Sequence, residues 1–387
     1  MKHSSRTSSF AAALIALGFC AALPLAAQAQ LTYFDPQSGG TGEWNLTVPN
    51  WNAGTSTWIQ NANALFNGPG STVTIGYINL TPADNLQIGT LAFGAAAGSY
   101  VFDNSSGAQL DFNGGGITTA TAAPQTFNSS GDINFNAGAS AGTATIQINN
   151  SGNLTFAGAG ATAGTSTLTN GSTLTFASGS SAGGSSITNL GVMLLNGTSL
   201  GGTATVQNGG LLDISGHTGT VTLGPLTNSA TIPGPDQLSG AITLGLNKLQ
   251  LSNGFSLATT PNSGQNLLGY TLDTPSTSGT ITLLGGTFTG SDTGRTDITL
   301  SSAGPVADGT YVLIDWSAGS ASGVDLSDFS IVGGLPPGLS PSSHLAFANG
   351  NTQLVLIAVP EPATLAMPLT AILGMVMLRR RLARLAV

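Results

Sequence analysis

The amino-acid sequence predicts an all-β protein: a parallel β-helix (β-solenoid) ectodomain between an N-terminal signal helix and a single C-terminal transmembrane helix. Three observations lead there. Asparagine recurs at Asn150, Asn170, Asn189, Asn208 and Asn228, spaced 20, 19, 19 and 20 residues apart. Apolar residues alternate with polar ones in period 2 around Phe112, Phe135, Phe156, Phe176, Leu195 and Ile214. Of 387 residues only 8 are basic and 16 acidic, and six of the basic ones sit at the two chain ends.

The N-terminal element, residues 1–29, begins with Lys2 and Arg6, continues as an apolar run from Phe10 to Leu25, and closes on Ala27-Gln28-Ala29. A basic start, an apolar middle and a small-x-small end are the pattern that signal peptidase reads. Cleavage between Ala29 and Gln30 is expected. Cys20, the single cysteine, lies in the segment that would be removed, and Phe19 before it does not suit a lipid-anchor motif. The exported body therefore has neither disulfides nor thiolate metal sites, and its stability must come from packing and backbone hydrogen bonds.

Residues 30–102 are expected to form an N-terminal β cap. Trp44, Trp51 and Trp58 stand ahead of the alternating Gly70-Ser-Thr-Val-Thr-Ile75. A solenoid must hide its first open coil, so these tryptophans are read as a cover; stacking on sugar rings is the alternative role.

Residues 103–228 are the repeat. An aliphatic precedes each asparagine by two positions (Ile148, Leu168, Ile187, Val206 and Leu226), and Leu110, Ile133, Leu154, Leu174, Met193 and Leu212 precede the second register in the same way. Period 2 is that of a strand with one buried face. Gly-Ala-Ser turns separate two short strands per repeat. A unit of about 20 residues cannot bury its own apolar face, so successive units must stack with the interstrand spacing of roughly 4.8 Å. In that arrangement the recurring asparagine is expected at the turn, tolerating a left-handed backbone and bonding the asparagine of the next coil. Residues 229–358 continue as a C-terminal β region.

Residues 359–387 open with Val359-Pro360-Glu361-Pro362 and run into 16 uncharged residues, Ala363 to Leu378, stopped by Arg379, Arg380 and Arg381. As a helix that stretch spans about 24 Å, slightly short of a hydrocarbon core of about 30 Å, a gap that flanking residues and bilayer thinning close. The arginines are expected to stay cytoplasmic.

Here the chain resembles the PEP-CTERM sorting signals: Pro-Glu-Pro, a short hydrophobic helix and a terminal arginine cluster, joined to an N-terminal signal peptide. Pro368 inside the helix is the one departure. The resemblance implies an inner-membrane exosortase as partner, which cuts near Pro360-Glu361-Pro362, and a cell-surface or matrix destination in a Gram-negative bacterium after transient anchoring. Ser151-Gly-Asn-Leu-Thr-Phe156 and Gly171-Ser-Thr-Leu-Thr-Phe176 also look like the autotransporter-associated β-strand repeats of surface proteins.

The body has little to do chemistry with. Residues 30–358 hold 15 acidic residues and two basic ones, Lys248 and Arg295, for a net charge of −13, which disfavours nucleic acid as a partner. At about 6% charged residues, against roughly 25% in an ordinary domain, the surface must be mostly Ser, Thr, Asn and Gly. His217 is placed in a solvated turn and His344 beside a strand. Asp111 and Asp213 share one outward column but five coils apart, with Asn134, Thr155, Thr175 and Leu194 between them. Paired glycosidase carboxylates need about 5 to 9.5 Å. No catalytic, cofactor or metal residue is expected. The reading is an exported, non-enzymatic structural or adhesive surface protein, with exopolysaccharide as a candidate partner; the alternative is a secreted polysaccharide-binding or polysaccharide-degrading β-helix.

Overall fold

The computed structural model describes residues 29–33, 41–76, 85–149, 151–197, 202–229, 240–258, 266–290, 295–302, 304–359 and 361. They form a parallel β-helix. One sheet has 13 strands, from Gln30–Thr32 to Phe329–Val332, and a second has 12, from Thr41–Trp44 to Ser320–Ser322. Each turn of the chain adds one strand to the first sheet and one to the second, so within each sheet every pairing is between successive coils and parallel. Thirteen strands at about 4.8 Å make a stack roughly 60 Å long. Among the described residues the helical content is one 3-10 turn, Leu326–Asp328.

The periodicities in the sequence have direct counterparts. Leu110, Ile133, Leu154, Leu174, Met193 and Leu212 stand opposite one another from strand to strand and are buried. Beside them Phe112, Phe135, Phe156 and Phe176 form a column of nearly coplanar rings, with centroids 4.6, 4.9 and 4.9 Å apart. Coil spacing imposes that separation, and it is within the range that offset aromatic stacking prefers.

The asparagine phase is corrected at one end and extended at the other. Asn170, Asn189, Asn208 and Asn228 do pass hydrogen bonds from coil to coil, each amide nitrogen donating to the next Oδ1 at 2.7 Å, and the chain of amides reaches Asn266 at 3.2 Å. Opposite Asn170, however, stands Ile148 and not Asn150, because the strand Thr145–Ile148 ends two residues earlier than constant spacing implies. The ladder asparagines are also not left-handed: among the described residues the non-glycine ones with positive φ are Asn52, Ala53, Asn61, Asn349 and Asn351. They sit at strand ends with their amides turned into the corner between the two sheets. There Asn189 also donates to the Leu211 carbonyl at 2.9 Å and Asn208 to that of Ala241 at 2.9 Å. A fully bonded amide can be buried where a free one could not.

The third side of the coil changes along the stack. In the middle coils it is a tight bend of buried alanines (Ala139, Ala141, Ala161, Ala163, Ala182) with isolated parallel bridges Ser140–Thr162–Ser181. Gly164, Gly183 and Gly202 have φ of +63°, +61° and +67°, and a Cβ on each would lie 2.7 Å or less from the glycine carbonyl oxygen one coil below. From Thr220 onward a true third sheet replaces the bend: Thr220–Leu223, Lys248–Leu251, Thr280–Leu283 and Gly309–Asp315 run parallel. The sheet then closes with Gln353–Ala358 and His344–Ala348, which pair antiparallel. Two strands per repeat therefore hold for the middle coils and three for the later ones. The sheets run unbroken across residues 102/103 and 228/229.

Candidate functional site

The first end of the stack is built by aromatic packing. Trp44, Trp51 and Trp58 are exposed by only 1%, 0% and 4%, with ring centroids 4.8 to 5.2 Å apart, and they lie against Tyr33 and Phe66. The turn that carries Trp51 folds across the open edge of the first strand. Asn52 N–H donates to the Thr32 carbonyl at 2.8 Å, and Thr32 N–H donates to Asn52 Oδ1 at 3.1 Å. Three successive residues, Asn52, Ala53 and Gly54, take positive φ to make that turn. Rings so enclosed offer no face to a sugar, which corrects the sugar-stacking alternative for the three tryptophans.

The described residues of the two sequences expected to direct processing adjoin the ends of the stack. Ala29 and Gln30 are exposed; Gln30 opens the first strand, and the Ala29 carbonyl accepts a hydrogen bond from Asn63 N–H at 2.7 Å. At the other end the last strand, Gln353–Ala358, leads without a linker into Val359. The buried Ser343 hydroxyl accepts from Val359 N–H at 2.9 Å and donates to the Val359 carbonyl at 3.2 Å, and Ser340 N–H donates to the same carbonyl at 2.7 Å. Glu361 N–H donates to the Gly338 carbonyl at 2.9 Å while the Glu361 side chain is exposed. Ala27, Pro360, Pro362, the helix expected over 363–378 and Arg379, Arg380 and Arg381 lie outside the described residues. Among the described residues no helix is long and apolar enough to cross a membrane.

Between the ends the second sheet presents a continuous outward column. In register from coil to coil stand Thr74, Asp103, Asn128, Gln147, Thr169, Thr188, Gln207, Thr227, Ser256, Thr289 and Ser322. The column continues to the exposed Glu43 opposite Thr74, and Glu43 and Asp103 are its two charged side chains among the described residues. Composition anticipates a neutral, hydroxyl-rich and amide-rich exterior, but Thr-x-Thr runs occur on all three sheets, so they could not have assigned this column to one of them.

Two carboxylates, Asp111 and Asp315, are held by hydrogen bonds to neighbouring coils and turns. On the first sheet the column Asp111, Asn134, Thr155, Thr175, Leu194, Asp213 runs as the spacing predicts. Asp111 is surrounded by amides, accepting from Asn85, Gln109 and Asn134 at 2.8 to 3.1 Å. Near the last coils, burial pushes the Asp315 carboxyl up, but hydrogen bonds from Ser317 and from Gln353 Nε2 outweigh that and hold it below the ordinary carboxylate range. His217 is buried at 6% exposure, its N–H donating to Ile214, so it is not the solvated turn residue expected; the loop is covered by its bridge to Gly197 one coil away. His344 opens its strand, exposed, with Nδ1 2.9 Å from the Ser342 carbonyl. No group of three or more His, Cys, Asp or Glu side chains able to hold a metal occurs among the described residues. A cleft of about 420 Å³ beside the C-terminal end is lined by Ser302, Gly304, Pro305, Pro337 and Gly338, none of them titratable. The chain matches no known protein family, no curated protein and no solved structure.

Proposed function

We propose that this chain is an exported, non-enzymatic structural or adhesive component of the cell surface or its polysaccharide matrix. Its N-terminal helix is removed by signal peptidase between Ala29 and Gln30. The helix over Ala363–Leu378 then holds it transiently in the inner membrane, with Arg379, Arg380 and Arg381 inside, until an exosortase cuts near Pro360-Glu361-Pro362. One observation supports this reading: the first described strand opens at Gln30 and the last described strand ends at Ala358, next to Val359, so the described stack lies between the two sequences expected to direct processing. A second supports its adhesive half. The uncharged run of the second-sheet column from Asn128 to Ser322 can exchange hydrogen bonds with a neutral polymer, whereas the acidic body repels anionic ones.

Epitope tags placed at residue 30 and after Val387 test the route. With an exosortase present, the body should leave the inner membrane without the C-terminal tag; without the exosortase, both tags should stay there together. Tags that remain together in either background would reduce the protein to a permanently anchored one.

A further inference from the structure

We infer that five successive middle coils of the second sheet form a binding face for an extended, uncharged glycan chain lying along the stack. The inference rests on the adhesive half of the reading above and adds the place and the chemistry of the ligand. The strands concerned are Gln125–Ser129, Thr145–Ile148, Thr167–Asn170, Ser186–Asn189 and Thr205–Asn208, and each turns two polar side chains outward. One column is Thr126, Thr145, Thr167, Ser186 and Thr205, in register from coil to coil; two residues further along each strand runs the stretch of the outward column from Asn128 to Gln207. All ten residues are exposed or half-buried, and none of their side chains hydrogen-bonds another group among the described residues. The result is a lattice of neutral groups that each donate and accept, about 4.8 Å apart along the stack and about 6.6 Å apart along a strand.

The patch has edges. Val101 and Asp103 stand opposite Thr126 and Asn128 on the coil before it, and on the coil after it Pro225 precedes Leu226, the partner of Val206. On the first sheet the corresponding columns are broken: Asn134 and Asn153 donate to Asp111 and Asp132, and past Thr173 and Thr175 the outward positions are Val192, Leu194 and Leu211. The ladder asparagines directly follow Thr169, Thr188 and Gln207, so a buried chain of amides fixes these strands before any ligand arrives, which lowers the ordering cost of binding.

These features select the occupant. An anionic polymer is repelled by a body with 15 acidic and two basic residues. A peptide is held by apolar pockets or a free sheet edge, whereas these are polar side chains on the face of inner strands. A neutral sugar polymer carries hydroxyls along its whole length, and in extended form it meets one coil after another. Four coil steps span about 19 Å, room for about four or five sugar residues. Each coil contributes weak bonds, so affinity grows with ligand length.

Calorimetric titration of the full chain with β-1,4-linked gluco-oligosaccharides of two to six units tests this. Affinity should rise about threefold or more per unit up to about five units and level off at the sixth. β-1,4-linked hexamannuronate, of like length but anionic, should bind at least about tenfold more weakly than the glucose hexamer; equal binding of the two overturns the choice of an uncharged ligand. The combined changes Thr167→Val, Thr169→Val and Thr188→Val remove hydroxyls and keep the preference for a strand. They should weaken hexamer binding at least about tenfold at an unchanged melting temperature, and Gln147→Ala with Gln207→Ala, a second pair on the same face, should weaken it about threefold or more. Thr155→Val with Thr175→Val, on the first sheet, should leave it unchanged. Hexamer binding that survives both sets of second-sheet changes overturns the inference and leaves the adhesive reading standing. No binding of the hexamer overturns both, while the tag experiment decides the sorting route independently.

Discussion

The middle coils and the later coils solve the same packing problem with different amounts of chain. Between Leu154 and Leu212 the first sheet advances one strand every 19 or 20 residues, through Leu174 and Met193. From Leu212 onward the facing positions are Ile242, Leu268, Ile298 and Ile331, which lie 26 to 33 residues apart. The extra residues build the third sheet. A short coil must turn back on itself through alanines and left-handed glycines that touch the coil below, so its sequence is narrowly constrained. A long coil closes with a strand and can vary its loops. Regularity in this protein is therefore a consequence of tightness, and the comparison can be broken by adding atoms where the coil is tight or removing them where it is stacked.

The largest effect is expected from Phe156→Ala, which removes the ring between Phe135 and Phe176 in the coplanar column. A buried Phe→Ala change costs about 3–5 kcal/mol, and a regular stack has little freedom to collapse into the gap. Chemical denaturation of residues 30–361 should show a loss in that range, and a loss under about 1 kcal/mol would mean that the aromatic column is incidental.

Breaking the amide ladder comes next. Asn189→Leu leaves Asn208 Oδ1 and the Leu211 carbonyl without the donor they now share, at about 1–3 kcal/mol for each buried group left unsatisfied. The same measurement should give a loss of the same order as Phe156→Ala. Neutrality would show that packing alone holds the corner.

The smallest effect is the sharpest contrast. Gly164→Ala puts a Cβ 2.7 Å from the Gly142 carbonyl oxygen at φ +63° and should cost about 1–2 kcal/mol from the left-handed backbone alone. Gly285→Ala, in a later coil, meets no atom closer than the Ser252 carbonyl oxygen at 3.6 Å and has no left-handed φ. It should be neutral or stabilise by up to about 1 kcal/mol through the unfolded chain. Equal thermal shifts in the two variants would erase the distinction between tight and loose coils.

What the sequence determined by itself was whatever repeats at short range. Alternation in period 2 made the strands, the constant step between Phe156 and Ile214 made the stack, and the outward column from Asp111 to Asp213 could be written down residue by residue. The same reasoning singled out the two sequences proposed to direct processing, because charge, apolar length and proline are local properties. Tertiary structure decided the rest. Ile148 stands opposite Asn170, where the count put Asn150, and Asn266 joins the ladder, because membership depends on which strand ends share a corner, and a two-residue slip in one coil is invisible to counting. The third sheet could not be read, since its coils differ in length and show no fixed period. His217 is buried by its bridge to Gly197, and the tryptophans are buried by a turn that crosses the first strand. The Ser343 grip on Val359 joins positions 16 residues apart through one hydroxyl. Burial and hydrogen-bond partnership between separate coils are set by three-dimensional closure, and only the folded stack brings those partners together.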